Sequence, residues 1–405
     1  MVPRFLQIHT LTSYPASLLN RDDVGFAKRI TFGGSERTRI SSQCLKRHWR
    51  TADDEHALGR IRDGGAGATM SIRSRRTFER YLYEPLVAAG VDASVAGALT
   101  RSVLETLLPK GKRRRAAPEE TAEGEGEEGG LHTDQVTVLG RPEMDYLLSL
   151  ARTAAAGAGD AKAAVKAFAA IDKGDLKRNL QALVRGAGLD AAVFGRMTTG
   201  DMLARCDAAV HVAHAFTVHE SEQETDYFSA IDDLQAREET GSGHINTAEL
   251  TSGLYYGYVV VDLPLLVSNL EGCDRRRWLE ADRTLAADVV RSLVHLIATI
   301  SPGAKLGATA PYAHAALVLV EAGNRQPRTL ANAFFAAVPA RGDVLAAAHE
   351  RLAEHLERYD GMYGPEADRR LSAMQPPEAL VARTQGRLDL PGLASWVAET
   401  IGRTA

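Results

Sequence analysis

Cysteine is scarce in this chain, with only Cys44, Cys206 and Cys273 among 405 residues. An odd number of widely separated cysteines does not make a disulfide framework, and none of the three stands at the spacing of zinc-ligand pairs. We therefore expect reduced thiols and no structural metal.

Long hydrophobic runs are also missing. The most apolar stretch, residues 285–300, contains Asp288, Arg291 and His295, whereas a membrane span needs roughly 18 apolar residues in a row. The first residues lack the basic segment and apolar region of a secretory signal. We expect a soluble, cytoplasmic protein with no membrane partner.

The usual sequence signals of enzymes are absent as well. The chain has no Gly-x-Ser-x-Gly, no Walker phosphate loop and no dinucleotide fingerprint. His211, His214 and His219 do not have the spacing of a helical zinc site, and we interpret them as strand or core histidines. The paired carboxylates Asp22-Asp23 and Asp232-Asp233 could hold Mg²⁺, but such pairs are common in surface loops. We expect no enzymatic activity and no cofactor.

Charge is distributed unevenly along the chain. The formal net charge is −4, and 45% hydrophobic with 25% charged residues is ordinary for a globular protein. Residues 1–50 nevertheless contain nine Lys or Arg against three acidic residues, a local excess of +6. Of the 48 basic residues 39 are Arg, which suits bidentate phosphate contacts, although an Arg-rich compositional bias gives the same count. The N-terminal segment is therefore a candidate site for a polyanion.

The hydrophobic pattern predicts an α+β fold in which a helical insertion interrupts a sheet. Strands are predicted at residues 5–11, 208–218, 254–263 and 315–320. Helices are predicted at residues 41–50, 77–89, 92–108, 143–156, 161–186, 276–300, 328–338 and 344–359. Residues 12–39 are predicted to form a loop, and residues 220–251 a projecting hairpin or loop. The stretch from Lys110 to Gly130, basic and then acidic, is typical of a flexible, solvated loop.

Local signals within the basic segment suit phosphate binding. The pair Gly33-Gly34 permits a tight turn or a close backbone approach to a ligand. Ser41 or Ser42 can cap a helix whose free N-terminus offers N–H groups to an anion. Lys46 and Arg50, four residues apart, share a face of that helix.

The same segment carries ordered motifs that resemble those of a known family. They are Asn20-Arg21-Asp22-Asp23, Lys28-Arg29, Phe32-Gly33-Gly34 and Arg37-x-Arg39-Ile40-Ser41-Ser42-Gln43-x-Leu45-Lys46-Arg47. Further motifs follow in order: Gly195-Arg196-Met197, His214-Ala215, Asp232-Asp233-Leu234-Gln235, Ser252-Gly253, Pro302-Gly303-Ala304-Lys305 and Leu330-Ala331-Asn332-Ala333-Phe334. Together they resemble the CasC family, the repeating backbone subunit of the type I-E CRISPR Cascade complex, over the whole chain apart from residues 110–130.

The resemblance implies a hand-shaped molecule with an RRM-like (ferredoxin-like) palm, a helical fingers insertion and a β-hairpin thumb. The implied boundaries are residues 1–55, 195–219 and 252–405 for the palm with its C-terminal helices, 56–194 for the fingers and 220–251 for the thumb. It also implies that copies of the chain stack head to tail along a crRNA, beside other Cascade subunits, and present the guide to target DNA.

The resemblance further implies which side chains contact the RNA. The backbone contacts would come from Lys28, Arg29, Ser41, Gln43, Lys46, Arg47 and Lys305. We extend this expected set to Asn20, Arg21, Arg37, Arg39, Ser42 and Arg50. Met197 and Ile245 would stand where the family folds apolar side chains over a displaced nucleotide; the alternative is that each covers its own loop. After Lys305 a further basic residue of the family is replaced by Leu306-Gly307, so a phosphate contact there is missing or supplied by another Arg.

These features together favour a non-catalytic, guide-RNA-binding structural subunit. One alternative is a metal-dependent ribonuclease like the related type III backbone subunits, in which Asp22 or Asp23 of the loop after the first strand would act. Another is a general single-strand RNA chaperone, which would explain the basic surface but not the ordered motifs.

Overall fold

The computed structural model describes residues 2–63, 66–67, 69–108, 131–133, 135–183, 185–196, 202–230, 244–365, 368–375 and 377–402. The chain divides into two compact units. Unit 1 contains Met1–Ile61, Val210–Pro264 and Arg283–Ala405, and unit 2 contains Arg62–Ala209 and Leu265–Asp282. The finer division into palm, fingers and thumb stays a prediction.

The regular elements alternate between strands and helices along the chain. The strands are β1 (Phe5–Ser17), β2 (Arg29–Phe32), β3 (Ser35–Ile40), β4 (Arg62–Asp63), β5 (Ala66–Gly67), β6 (Ile72–Ser74), β7 (Thr137–Leu139), β8 (Val210–Val212), β9 (Ala215–Thr217), β10 (Glu222–Ala230), β11 (His244–Asp262), β12 (Leu317–Gly323) and β13 (Asp368–Ala373). The α-helices are α1 (Ser42–Thr51), α2 (Glu84–Ala88), α3 (Ala93–Leu107), α4 (Arg141–Ala156), α5 (Ala161–Ala169), α6 (Lys173–Gln181), α7 (Leu189–Phe194), α8 (Leu263–Glu271), α9 (Thr284–Thr299), α10 (Leu306–Thr309), α11 (Val344–Tyr363), α12 (Glu378–Val381) and α13 (Leu390–Gly402). Among the residues described, none of the helices combines the length and the apolarity that crossing a membrane requires.

Unit 1 is built on one antiparallel sheet. Its strand order is β13-β12-β1-β11-β9-β3-β2, and β8 and β10 also pair with β11. The central strand β1 pairs on one side with β11 and on the other with β12. The predicted mixture of helices and an antiparallel sheet is therefore confirmed.

Helices or turns cover both faces of strand β1. On one face Ile8 lies beside a cavity that Leu45 of α1 and Ile297 of α9 also line. On the other face Leu11 belongs to a core cluster with Leu352 of α11. Because neither face is left to solvent, the sequence of β1 shows only an imperfect apolar–polar alternation.

A buried ionic network joins three strands of the sheet. Glu321 on β12 is fully buried and accepts hydrogen bonds from His9 Nε2 at 3.1 Å, from Arg328 Nη2 at 2.8 Å and from Arg369 Nε at 2.6 Å. The Arg369 guanidinium also donates to Asp360 Oδ2 at 2.6 Å. Two carboxylates thus balance two guanidinium groups, and burial lowers the pKa of His9. Burial by itself would raise the pKa of Glu321, but the hydrogen bonds from Arg328 and His9 hold it well below its usual range.

The prediction that residues 12–39 form a loop is wrong, because β1 continues to Ser17 and the β2–β3 hairpin forms the second part of this stretch. The tight turn predicted at Gly33-Gly34 is confirmed, since both residues have positive φ, 61° and 82°. A Cβ at Gly33 would lie 1.5 Å from the carbonyl oxygen of Phe335. This close approach leaves no room for any other residue at position 33.

Several predicted helices differ from those in the structure, and polar contacts explain two of the differences. The stretch 161–186 breaks into α5 and α6 because Asp172 caps a new helix by accepting from Asp175 N. No helix spans 328–338, since the Arg328 backbone N donates to Gln7 Oε1 at 2.8 Å, and only the 3₁₀ turn Ala331–Phe334 forms. The helix predicted from residue 276 begins at Thr284 as α9. Strand β13, at the sheet edge, is an element that the sequence pattern did not predict.

Unit 2 is mostly helical, as predicted for this part of the chain. Its core packs Phe78, Leu99, Met144 and further apolar residues of α2–α6 together. A buried ion pair joins Arg196 Nη1 to Glu143 Oε2 at 2.7 Å. Both side chains are almost completely buried, so the pair fixes the N-terminal end of α4 to the segment after α7.

The ionic network predicts the effect of changing its central carboxylate. Replacing Glu321 with Gln leaves two guanidinium groups facing one carboxylate in a buried site, so we expect a loss of about 3–5 kcal/mol in the free energy of unfolding. The matched control is Glu354→Gln, which removes a surface pair with Arg358 and should cost less than about 1 kcal/mol. Urea denaturation of both variants tests this, and equal losses would contradict it.

Candidate nucleic-acid interface

The start of helix α1 is held in place by the loop that follows β1. Ser41 is the N-cap, and its Oγ accepts from Cys44 N at 3.3 Å, which confirms the predicted serine cap. The Ser41 backbone N donates to Asn20 Oδ1 at 2.9 Å, and the Asn20 carbonyl accepts from Lys28 N at 2.9 Å. Asn20 therefore fixes the loop that carries Lys28 to the N-terminus of α1.

His214 lies between β8 and β9 and contacts both β3 and the start of α1. Its Nδ1 accepts from Arg39 Nη1 at 3.3 Å and from the Ser42 backbone N at 3.2 Å. An acceptor Nδ1 assigns the neutral ring with its proton on Nε2. Partial desolvation lowers the pKa of His214, and Arg39, Lys28 and Lys46 lower it further. These three basic side chains, from different segments, therefore share one region of positive potential.

The interpretation of His214 as a strand or core histidine is wrong. His211 lies on strand β8 and His219 is buried in the core, which agrees with the interpretation of these two. His214 instead lies outside the strands and is exposed. The signal that could have found it is the pair His214-Ala215, which belongs to the ordered motif set.

Helix α1 presents the rest of the predicted contact set on its outer surface. Trp49 is buried on the inner face, whereas Gln43 and Arg47 are exposed and Lys46 and Arg50 are half-buried. The macrodipole of α1 adds partial positive charge at the N-terminal end of the helix that carries these side chains. This arrangement can bind a chain of phosphates.

Arg37, predicted to contact RNA, lies inside unit 1. Its side chain is fully buried, with Nη1 donating to the Thr217 carbonyl at 2.9 Å and Nη2 to the Phe334 carbonyl at 3.1 Å. Burial lowers the pKa of its guanidinium. Because Arg37 ties β3 to β9 and to the Ala331–Phe334 turn, the prediction that it contacts RNA is wrong.

Arg29 is also engaged within the subunit. Its guanidinium donates to Glu249 and Gln223 on the β10–β11 hairpin, and Nη1 lies 3.5 Å from Glu36 Oε1. The other Glu249 oxygen accepts from Ala27 N at 3.0 Å. Arg29 thus joins the start of β2 to the base of the hairpin, and an RNA contact from it stays a prediction.

The paired aspartates after β1 lie in a turn. In this turn Arg21 is exposed, and its backbone forms an isolated β-bridge with Ala27. Asp22 Oδ1 accepts from the backbone N of Val24, Gly25 and Phe26 at 3.0, 2.8 and 2.9 Å, so this oxygen shapes its own loop. Asp23 is exposed. In the part of the chain that the structure describes, no group of three or more His, Cys, Asp or Glu could hold a metal ion.

Lys305 lies in a loop that returns to the same region from the last third of the chain. Ala304 N donates to the Leu18 carbonyl at 2.8 Å, so this loop contacts the segment that leads to Asn20. Lys305 itself is exposed and has a left-handed backbone, with φ of 53°. The fold therefore brings Lys305 toward the N-terminal motif residues.

The two predicted apolar wedges belong to the segment after α7 and to the hairpin of β10 and β11. The expected hairpin at 220–251 is confirmed as β10 paired with β11, and the Ile245 backbone stands opposite Ser229. Met197 and the side chain of Ile245 lie outside the described residues, as does the charged stretch 110–130. The wedge assignment stays a prediction.

Comparison with known proteins identifies relatives of this fold. A family model described as CT1975-like protein matches residues 6–396. A chain from a structure described as "CRISPR RNA-guided surveillance complex, pre-nicking" is 28% identical, with a TM-score of 0.72 over 98% of this chain and all of the other. A second, from a "CRISPR RNA-guided surveillance complex", is 22% identical with a TM-score of 0.63 over 98% of this chain and 99% of the other, and shows a common fold. No curated protein sequence matches the chain.

The geometry around His214 predicts how its pKa responds to charge. Lys46→Ala removes one of the cations that oppose protonation, so the pKa of His214 should rise. The control is His349, whose pKa is lowered by burial and involves Asp343 but not Lys46, so its titration should not change. NMR titration of ¹³C-labelled histidine measures both; an unshifted His214 would mean that Lys46 does not face the ring.

Proposed function

We propose that this chain, which belongs to the CT1975-like protein family, is a crRNA-binding subunit of a CRISPR RNA-guided surveillance complex. The observation that carries the proposal is the gathering of basic residues at the start of α1: Arg39 and the first residue of α1 bond the same His214 ring, and Asn20 bonds both the Lys28 backbone and Ser41. The likeness to a surveillance-complex chain over the full length of both proteins supports the same function.

The site binds phosphate and leaves the bases unread. Cationic side chains neutralise and position phosphates, and contacts of this kind carry no sequence information. A guide-binding subunit has to accept any guide sequence, and pairing with target DNA then supplies the specificity. The cluster at α1 is suited to that task because its contacts are made by charge.

We further propose the type I-E CasC backbone role, with an RRM-like palm and copies stacked head to tail along the crRNA beside other Cascade subunits. The ordered motifs from Asn20 to Phe334 support it. In this role the subunit is non-catalytic, Met197 and Ile245 act as wedges over a displaced nucleotide, and a separate nuclease cleaves the target DNA.

Salt dependence tests the proposed RNA site. The logarithm of the affinity for single-stranded RNA should fall with the logarithm of salt concentration by about 0.7 per phosphate neutralised. Lys46→Ala with Arg47→Ala should flatten this slope. The control is Arg351→Ala with Arg358→Ala on α11, which removes the same charge from another helix and should leave the slope unchanged. Equal slopes in both double variants would exclude α1 from the interface.

The ribonuclease alternative makes a different prediction for the aspartates. In a passive subunit, Asp22→Asn with Asp23→Asn should leave a paired RNA intact with or without Mg²⁺, as in the unaltered protein. Asn also keeps an oxygen that can accept the three N–H bonds of the turn, so folding should be preserved. Gel electrophoresis of the RNA after incubation decides: Mg²⁺-dependent cleavage by the unaltered protein, lost in this variant, would establish the nuclease instead.

A further inference from the structure

A compact loop, residues 301–313, lies beside the cationic site. Its ends are closed by Ser301, whose Oγ accepts from Ala313 N at 2.9 Å and donates to the Ala313 carbonyl at 2.8 Å. Its interior is filled, since a Cβ at Gly303 would lie 2.6 Å from Pro311 and 2.7 Å from Leu306. The loop is therefore held in one shape by its own contacts.

The loop is also attached directly to the elements that build the cationic site. Ala304 N bonds to the Leu18 carbonyl. Ala313 packs against a hydrophobic cluster that contains Leu19 and Ile40, and Cys44 and Leu45 of α1 pack against the same cluster. The residue before Ala313 is therefore held in the same part of unit 1 as helix α1.

That residue is Tyr312, an aromatic side chain that remains 76% exposed. The backbone turns sharply just before it, because Ala310 adopts a left-handed conformation with φ of 39° and Tyr312 N donates to the Ala310 carbonyl at 2.7 Å. A non-glycine residue in this region is strained and persists only where its surroundings impose it. The loop thus holds a large ring in water at a fixed place.

We propose that Tyr312 is a stacking platform for one nucleobase of the RNA bound along α1. A ligand that suits both features must combine negative charge with flat apolar rings, and single-stranded nucleic acid does so: its phosphates meet Lys28 and Lys46 while a base covers the ring. Stacking tolerates every base, since each has a π-face. The inference rests on the proposed function and adds a contact that charge alone does not supply.

Substitution of the ring gives the test, with fluorescence anisotropy of a single-stranded RNA as the readout. Tyr312→Ala should weaken binding by roughly 5- to 150-fold, and Tyr312→Phe should bind as the unaltered protein does, because the π-face is kept. The salt slope should be the same in all of them, since no charge is removed. The control Tyr363→Ala removes an exposed ring on α11 and should change nothing.

A second readout detects stacking directly. In a set of RNAs that each carry 2-aminopurine at one of successive positions, the fluorescence should be quenched at the position that stacks on Tyr312. In Tyr312→Ala the fluorescence at that position should return. Full affinity of Tyr312→Ala, or loss of affinity in Tyr312→Phe, would overturn the stacking role. So would a weaker self-association of Tyr312→Ala without RNA, since the ring would then contact a second copy of the chain.

The outcomes separate this inference from the function on which it rests. If the unaltered protein binds RNA with a salt slope that depends on Lys46 and Arg47, but Tyr312→Ala binds equally well, only the stacking role fails. If the unaltered protein does not bind RNA, both the function and the stacking role fail.

Discussion

The fold of unit 1 depends on the buried carboxylate of Glu321. Its partners His9, Arg328 and Arg369 come from β1, from the segment after β12 and from β13. A shift of β1 or β13 by one residue would turn His9 or Arg369 to the opposite face of the sheet. The resulting unpaired charge would be costly in a site without water, so the network selects one register for three neighbouring strands.

The basic residues of the N-terminal segment divide into two structural roles. Arg37 and Arg29 hold elements of unit 1 together through backbone carbonyls and the Glu249 carboxylate. Arg39 instead bonds the exposed His214, and the charges of Lys28 and Lys46 act on the same ring. The sequence shows all of them as one basic cluster, because charge and spacing do not reveal which side chain the sheet will bury.

Strong local signals predicted much of the fold. The serine cap of α1, the turn at Gly33-Gly34 and the hairpin formed by β10 and β11 were all readable from residues close together in the chain. Signals that depend on distant partners were not: Arg328 fails to continue a helix because it meets Gln7 and Glu321, and His214 joins the cationic site only after β8 and β9 pair with β11. For the candidate site, the ordered motifs predicted the residues, while the structure shows how the fold brings their segments together.

The central position of β1 has a consequence for synthesis on the ribosome. This strand is made before both of its partners, β11, which ends at Asp262, and β12, which ends at Gly323. The main segment of unit 2, Arg62–Ala209, is contiguous and is complete long before that. Domains generally fold as units during translation, so the main segment of unit 2 can fold while β1 still lacks its first partner, β11, and β1 keeps one unpaired edge until β12 has been made. Yield in the cell should then depend on chaperones that shield this strand more than on the stability of the finished protein.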